Sequence, residues 1–465
     1  MDISFFKNKK ITVMGIGLHG GGVATVKFLA MHGAKVIATD LRSKDQLSAS
    51  LEKLKGLKNV QYVLGQHRME DFSKVDMVIK NPAAQWNDKH IKFALENKVP
   101  VEMDSSIFFK LCKNQIIGVT GTKGKTTTAS LIYEILKAAG KNPIKIGISQ
   151  VSVLDKLALL KKDSIPVFEL SSWRLSALGR SKISPHIAVF KNIMPDHLNY
   201  YGTMEKYFQD KKYIFANQKP KDWVVINGDD EMLRESVKEA RGQVLKFSYS
   251  ELKKSRAVFI DDGSIYLNNG IDVKKLIALK DITIPGTHNL SNIMAAIGAV
   301  FAWGLTASEI KKVLPQLKGV AHRLEFVREL AGVKYYNDTA ATIPDAAISA
   351  LSAFEKSIIL IAGGTDKNLD FTDFAKEICE KTKSLILLKG DATEKLLTKI
   401  KKCSDEEFVE KIEIVDSMEA AVVSARKLAQ KDDVVLLSPG AASFGLFANE
   451  FDRGDKFKDA VKKLK

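Results

Sequence analysis

Cysteine is scarce in this chain: Cys112, Cys379 and Cys403 stand far apart among 465 residues. They show neither the paired spacing of a metal site nor a disulfide pattern, which suits a reducing cytoplasm. Long apolar runs are missing as well. No stretch of ~18 uninterrupted apolar residues exists to span a bilayer. Lys7, Lys9 and Lys10 are followed by no apolar core of the kind that marks a signal peptide. Internal repeats, low-complexity tracts and long linkers are absent too. What is left is a cytoplasmic chain without membrane insertion, long enough for about three domains of ~150 residues. Hydrophobic residues, at 45%, suffice to fill their cores. The net charge of +16 suits nucleic acid or anionic small molecules equally. The lysines are scattered, and no basic helix with interleaved aromatics stands out, so charge alone decides nothing.

The most informative segment is Gly118-Val-Thr-Gly121-Thr122-Lys123-Gly124-Lys125-Thr126-Thr127. Residues 115–119 read as a buried strand, and residues 126–139 show helical apolar spacing after the glycine turn. In that context the backbone N–H groups of residues 121–126 would face phosphates at a helix N-terminus. Lys125 would neutralise β and γ oxygens, and the Thr126 hydroxyl would hold Mg²⁺. The strict pattern G-x-x-x-x-G-K-[ST] is not met, because Val119 stands where its first glycine belongs. An ordinary glycine-rich turn is the alternative, which the strand–turn–helix context disfavours.

Three α/β units follow one another. In the first, a strand at 11–14 runs into Gly15-Ile-Gly17-Leu18-His19-Gly20, a helix to about 32, and a strand at 35–39 ending in Asp40. This is the dinucleotide-type fingerprint with an acid at its usual distance. It does not say which nucleotide binds, and a ligand-free structural turn stays open. Arg42 lies where it would pair with a phosphate, and a later strand at 75–79 ends at Asn81-Pro82 without an acid. The second unit starts near 104, with strands at 167–170, 187–190 and 223–227 and a hairpin joining 256–260 to 264–267. Alternation of strands and helices predicts a mostly parallel sheet. The third starts near 320, with strands at 333–336, 357–362, 384–388 and 434–437.

Polar residues collect at the predicted strand ends, where ligands bind in open α/β sheets. Glu169 would coordinate Mg²⁺ beside the triphosphate or cap the following helix. His197, after Asn192 and Asp196, is read either as a metal or phosphate ligand or as structural.

The set Gly121–Thr126 in its turn, Glu169-Leu-Ser-Ser, Asn192 with Asp196-His197, Gly286-Thr-His288-Asn289 with Asn292, His322-Arg323 and Asn337-Asp338 resembles the Mur ligases. These are ATP-dependent amide-bond-forming enzymes of peptidoglycan precursor synthesis, and the motifs fall in family order over nearly the whole chain. The resemblance implies three domains: a Rossmann-like UDP-sugar domain (1–103), a P-loop-type ATPase domain (104–319) and a Rossmann-like amino-acid domain (320–465). It implies that Gly121, Thr122, Lys123, Gly124, Lys125, Thr126 and Thr127 hold ATP, with Asn289 and Asn292 at the adenine. Arg323 would meet the nucleotide and Asp338 the ribose. Two Mg²⁺ ions would be served by Thr126, Glu169, His197 and a carbamate on Lys211. Tyr207 and Lys211 are i and i+4 on one helix face. Lys125, His197 and Lys211 would be catalytic. Leu18, His19, Asp40 and Arg42 would hold the uridine diphosphate.

Within the family, the Rossmann-like first domain, Gly363-Gly-Thr-Asp-Lys367 and Leu437-Ser-Pro-Gly-Ala-Ala-Ser443-Phe444 favour addition of D-glutamate to UDP-N-acetylmuramoyl-L-alanine. Lys367 would pair with the glutamate carboxylate, with Thr342, Ser443 and Phe444 beside it, since a buried unpaired carboxylate is unfavourable. The substrates would then be small molecules only, handled by a monomer without nucleic acid. Two departures stand out: Ala340 replaces a lysine common in relatives, and Gly147-Ile148-Ser149 replaces Asn-Ile-Gly. Ligases adding L-alanine, folylpolyglutamate synthase-like ligases, a nicotinamide-dependent dehydrogenase with an ATPase domain, and a nucleic-acid ATPase are the rival readings.

Overall fold

The computed structural model describes every residue except 19, 149–151, 253, 283, 318 and 356. The chain divides into two compact units, Met1–Leu276 with Ser291–Val313, and Ile277–Leu290 with Leu314–Lys465. They carry three α/β sheets, so the expected three-domain architecture is present, with the first two sheets in one unit.

The first sheet comprises β1 (Lys10–Met14), β2 (Lys35–Asp40), β3 (Val60–Leu64), β4 (Met77–Lys80) and β5 (Val101–Glu102), all parallel, in the order β3-β2-β1-β4-β5. The last four residues of β1 and the last five of β2 are buried, as a sheet covered by helices on both faces requires. Strand order reverses at β1, so a crevice opens between the carboxyl ends of β1 and β4. The helix Gly21–Met31 crosses β1 so closely that a Cβ on Gly22 would lie 2.2 Å from the Gly15 carbonyl oxygen. Only glycine fits there.

The second sheet holds β6 (Ile117–Thr120), β7 (Asn142–Ile146), β8 (Ser164–Glu169), β9 (Ile187–Phe190), β10 (Trp223–Asn227), β11 (Gln243–Ser248), β12 (Ala257–Asp261), β13 (Ser264–Asn268) and β14 (Val273–Ala278). Its order is β14-β13-β12-β11-β10-β9-β6-β8-β7. β12 and β13 form the antiparallel hairpin read from the sequence. The third sheet, in the second unit, runs β15 (Glu325–Leu330), β16 (Val333–Asn337), β17 (Ile358–Gly363), β18 (Thr382–Leu388), β19 (Glu413–Val415) and β20 (Val434–Leu437), in the order β15-β16-β20-β17-β18-β19. Only β15 is antiparallel to its neighbour there.

Two expectations need correction. Cys379 and Cys403 form a disulfide across 24 residues, with Cα atoms 6.5 Å apart. Sequence distance hid this, because the helix Thr372–Lys381 folds back beside the helix Asp391–Ile400 and the chain just beyond it. Cys112 alone is a free thiol. The helix after β8 is capped by Ser171, whose hydroxyl accepts from the Arg174 N–H, and not by Glu169. Among the described residues, no helix is long and apolar enough to cross a membrane.

The second unit is pinned by Arg453, which is fully buried on the helix Glu450–Lys463. Its Nε donates to Thr339 Oγ1 (2.9 Å), Nη1 to the carbonyls of Ala441 and Ala442 (both 3.2 Å) and Nη2 to Thr339 O (3.0 Å). Burial pulls its pKa down to about 10, so it stays charged at neutral pH. Arg453→Met would strand the carbonyls of Thr339 and Ala441, and a loss on the order of 3–5 kcal/mol in unfolding free energy is expected. Urea denaturation monitored by circular dichroism measures it.

Candidate active site

The crevice of the first sheet is a cleft of about 950 Å³ whose lining includes Gly15, Gly17, Leu18, Asp40, Arg42 and Asn81. Asp40 does more than wait for a ligand. Its Oδ2 accepts from the Gly17 N–H (2.9 Å) and its Oδ1 from the Arg42 N–H (2.9 Å), with Arg42 Nη1 at 3.4 Å. The acid therefore holds the glycine turn in shape. Leu18 is exposed at the mouth, and His19 lies outside the described residues.

The phosphate loop joins β6 to the helix Lys125–Ala138, whose N-cap is Gly124 at φ 82° with no capping side chain. Thr126 and Thr127 lie in the first turn of that helix. A Cβ at Gly124 would meet Asn292 Oδ1 at 2.4 Å. Not all of the loop's N–H groups face a ligand as expected. Asn192 Oδ1 accepts from the N–H groups of Thr122 (2.9 Å) and Lys123 (3.0 Å), and its Nδ2 donates to Lys123 O (3.1 Å). A side chain at the end of β9 thus fixes the first half of the loop. Lys125 Nζ donates to the carbonyls of Gly121 (2.9 Å) and Thr122 (2.8 Å).

Lys211, on the helix Met204–Ala216, is 1% exposed and donates to the same Gly121 carbonyl at 2.8 Å. Burial, reinforced by the Lys125 charge, holds its amine well below the usual lysine range, while Asp196 and Glu169 pull the other way. Lys125, Lys211, Glu169 and Asp196 therefore share one electrostatic neighbourhood. Tyr207, one helical turn before Lys211, places its hydroxyl 3.3 Å from Thr122 Oγ1. His197 is exposed, begins the helix Leu198–Tyr201 in a left-handed conformation (φ 52°), and packs its ring 5.0 Å from Trp173. Among the described residues no three acidic, histidine or cysteine side chains form a ready metal cluster.

The helix Thr287–Trp303 carries both candidate adenine residues. Asn292, in the first unit, lies with its Oδ1 3.2 Å from Thr128 Oγ1. Asn289, in the second, donates to Pro285 O at 2.7 Å. In the second unit, Asp338 follows β16, buried, and accepts from Ser438 Oγ (2.8 Å) and the Leu324 N–H (3.1 Å). Arg323 beside it is exposed. The candidate amino-acid residues gather at the carboxyl ends of β16, β20 and β17. Thr365 and Ala442 exchange backbone hydrogen bonds (2.9 and 3.0 Å), which brings the Lys367 loop against the Ser443–Phe444 loop. The Gly440 N–H donates to Ala341 O (2.9 Å), next to Thr342. Ser443 is buried, whereas Lys367 and Phe444 are exposed.

Sequence reasoning missed Lys80, Lys191 and Arg453 as buried cations. Lys191 follows β9, fully buried beneath the loop, with Nζ 2.6 Å from Ser291 Oγ. A lysine directly after an apolar run was the available signal.

The Mur ligase MurD-like N-terminal domain family matches residues 9–102, the Mur ligase middle domain 119–300, and the Mur ligase glutamate ligase domain 322–440. The UDP-N-acetylmuramoylalanine–D-glutamate ligase of Roseiflexus sp. (strain RS-1) is 41% identical over 460 residues, which is 97% of this chain and 98% of that one. Its namesake from Borreliella afzelii (strain PKo) is 38% identical over 100% of both chains. The solved UDP-N-acetylmuramate–alanine ligase of Thermotoga maritima has a TM-score of 0.55 at 20% identity, covering 98% of this chain and 100% of that one. That likeness concerns the fold alone.

Burial pushes the Asp338 carboxyl up to about 7, against the Ser438 and Leu324 hydrogen bonds and the Arg323 charge. A folded-state pKa raised from 3.8 means that the unfolded chain gives up its proton first. Stability from this group is complete below the unfolded value and is lost as pH rises through the window up to about 7. Asp338→Asn cannot ionise. Its melting temperature relative to wild type should climb between pH 4 and pH 8, and a pH-independent difference would exclude the buried-carboxyl account.

Proposed function

The chain belongs to the Mur ligase family, and we propose that it joins D-glutamate to UDP-N-acetylmuramoyl-L-alanine, driven by cleavage of ATP to ADP and phosphate. The full-length similarity to two D-glutamate ligases carries the substrate reading. The convergence of Lys125 and Lys211 on the Gly121 carbonyl supports the reaction centre. Residues 1–103 then bind the uridine nucleotide, 104–319 ATP and 320–465 the amino acid. The enzyme acts as a cytoplasmic monomer.

A carboxylate is a poor electrophile, so an oxygen of the alanyl carboxylate first attacks the γ-phosphorus of ATP. The bond to the β-phosphate bridging oxygen breaks, ADP leaves, and an acyl phosphate remains. The amine of glutamate then attacks the acyl carbon, phosphate departs, and the amine proton passes to solvent or a nearby base. Lys125, released from its two carbonyls, meets the β and γ oxygens as charge builds there. Gly121 to Thr127 wrap the phosphates, held in shape by Asn192. Asn289 and Asn292 address the adenine, with Arg323 and Asp338 toward the ribose.

The donor set fits Mg²⁺ in part: Thr126 offers a hydroxyl, Glu169 a carboxylate and His197 an exposed imidazole. Bound Mg²⁺ supplies charge neutralisation on the phosphates. A second ion needs another anionic oxygen, and Lys211 is suited to provide it as a carbamate. Only a neutral amine adds to CO₂, forming the N–C bond and releasing one proton, and its buried position favours that neutral form. At the amino-acid site, Lys367 pairs with the glutamate side-chain carboxylate, with Thr342, Ser443 and Phe444 beside it. Leu18, His19, Asp40 and Arg42 hold the uridine diphosphate.

Phosphate release on a panel of amino acids with UDP-N-acetylmuramoyl-L-alanine tests the substrate. D-glutamate should stand alone, and a preference for alanine would overturn the assignment. Lys125→Ala should lower turnover by about 10²–10³ while leaving uridine-nucleotide binding intact. Lys211→Ala should lose activity and regain part of it with added short carboxylates. A fully active Lys211→Ala would dispose of the carbamate. Lys367→Ala should raise KM for D-glutamate roughly ten- to hundredfold, the worth of a charged hydrogen bond, with KM for ATP unchanged.

A further inference from the structure

The reaction as described leaves one buried lysine of the first cleft unused. Lys80, the last residue of β4, is 2% exposed and lines that cleft. Its Nζ donates to Ala84 O at 2.8 Å and Asn81 O at 3.3 Å, two carbonyls of the turn that follows the strand. An ammonium has three N–H donors, so one remains. Trp86 lies 4.7 Å from Nζ, and the Arg180 guanidinium lies 4.2 Å from the same ring. Trp86 Nε1 donates to Ser176 Oγ at 2.7 Å, which fixes the ring to the helix Ser172–Arg180. Among the described residues no carboxylate pairs directly with Lys80, although Asp104 and Asp210 act on it through space. Burial, with Arg180 adding, pushes its amine down to about 8. A buried cation met by carbonyl dipoles and an aromatic ring, with no carboxylate in contact among the described residues, gains from an arriving anion.

The turn that Lys80 braces forms one wall of the crevice, and the glycine turn forms the other. The Asn81 N–H donates to Met14 O at 2.9 Å, and a Cβ on Gly15 would lie 2.8 Å from the Asn81 Cβ. Across this gap the helix Gly21–Met31 begins, its N-cap Gly20 left-handed (φ 89°) and without a capping side chain. In this strand order the phosphates of a nucleotide lie at that helix end. Backbone N–H groups there supply direction but little net charge.

We propose that Lys80 binds the diphosphate of the uridine nucleotide, directing its remaining N–H across the Asn81 turn into the crevice. This rests on the reading of the cleft as the uridine-diphosphate site. The lysine then serves two ends at once, shaping the turn with two N–H groups and neutralising the ligand with the third.

Titration calorimetry of the full chain with UDP, UMP and uridine tests it, using wild type, Lys80→Met and Lys80→Arg. Lys80→Met should weaken UDP about ten- to hundredfold, the range of a charged hydrogen bond, with uridine near its wild-type affinity. Lys80→Arg should keep most of the gain of UDP over uridine. Lys80→Gln retains donors for the two carbonyls without the charge, and decides the matter if the methionine variant does not fold. Equal weakening of all three ligands, or no selective loss for UDP, overturns the proposal and leaves the lysine as a brace. A wild type that does not prefer UDP to uridine overturns the cleft reading itself, whatever the variants do.

Discussion

Cations buried without carboxylates govern the loops of this protein. Arg453, Lys80, Lys191 and Lys211 are among its largest fully buried side chains, and among the described residues none of the four pairs with a carboxylate. A charge taken out of water without compensation is strongly unfavourable, so something must answer it. Carbonyl oxygens answer three of them, and the Ser291 hydroxyl answers Lys191. Lys80 takes those of Asn81 and Ala84, Lys211 that of Gly121, and Arg453 those of Thr339, Ala441 and Ala442. Each set belongs to a loop at the carboxyl end of parallel strands. There the backbone leaves the sheet and its carbonyls leave the strand ladders, although Ala442 O also accepts from the Thr365 N–H. The loop conformations and the cations therefore determine each other.

The phosphate loop carries this furthest. Lys125 and Lys211 share the Gly121 carbonyl, an arrangement two full positive charges would resist. The resistance eases when Lys211 is neutral, and reverses when phosphate oxygens arrive. Lys191 passes beneath the same turn: a Cβ on Gly121 would meet its Cβ at 2.8 Å, and one on Gly124 its Cε at 3.5 Å. The two glycines are thus required by what lies under the loop. Asn192 completes the design by tying two N–H groups that would otherwise be free to reorient.

What the sequence disclosed and what it hid follow from burial. Strands enclosed on both faces, such as β1, β9, β10 and β20, are continuous apolar runs and were legible within a residue or two. Every edge strand was missed: β3 and β5, β7 and β14, β15 and β19. An edge strand buries at most part of each face, and β3 and β14 show it with exposed Gln61, Tyr62, Lys274 and Lys275. β7 even carries Pro143, which an edge tolerates. Central β11 escaped because Gln243 and Lys246 interrupt its apolar pattern. At the candidate site, residues named by motif spacing fall into three clusters: the glycine turn with Asp40, the phosphate loop with Lys211 and Glu169, and the strand ends bearing Asp338, Lys367 and Ser443. The Cys379–Cys403 pair and the buried cations stayed hidden, since contacts made through folding leave no local pattern.

Ala340 sharpens the chemistry of the third cluster. The resemblance leads one to expect a lysine at this place, and the question is whether another residue supplies such a cation here. Arg453 supports the loop that carries Ser443. Its donors, however, are committed to Thr339, Ala441 and Ala442, and it is fully buried behind that loop. It cannot turn toward a ligand without stranding those carbonyls. Ala340 itself is fixed by its N–H to His322 O at 3.0 Å, so its backbone does not shift to bring a different side chain forward. Under the proposed assignment, the side-chain carboxylate of glutamate is therefore left to Lys367 and to neutral donors such as Ser443. Lys367 lies exposed on a loop held by the Thr365–Ala442 bridge and by Asp366, whose N–H donates to Asp391 Oδ1 (2.7 Å) and whose carboxylate pairs with Lys395. With the neighbouring backbone held and the side chain exposed, the ligand, rather than the protein, is left to fix the position of that charge.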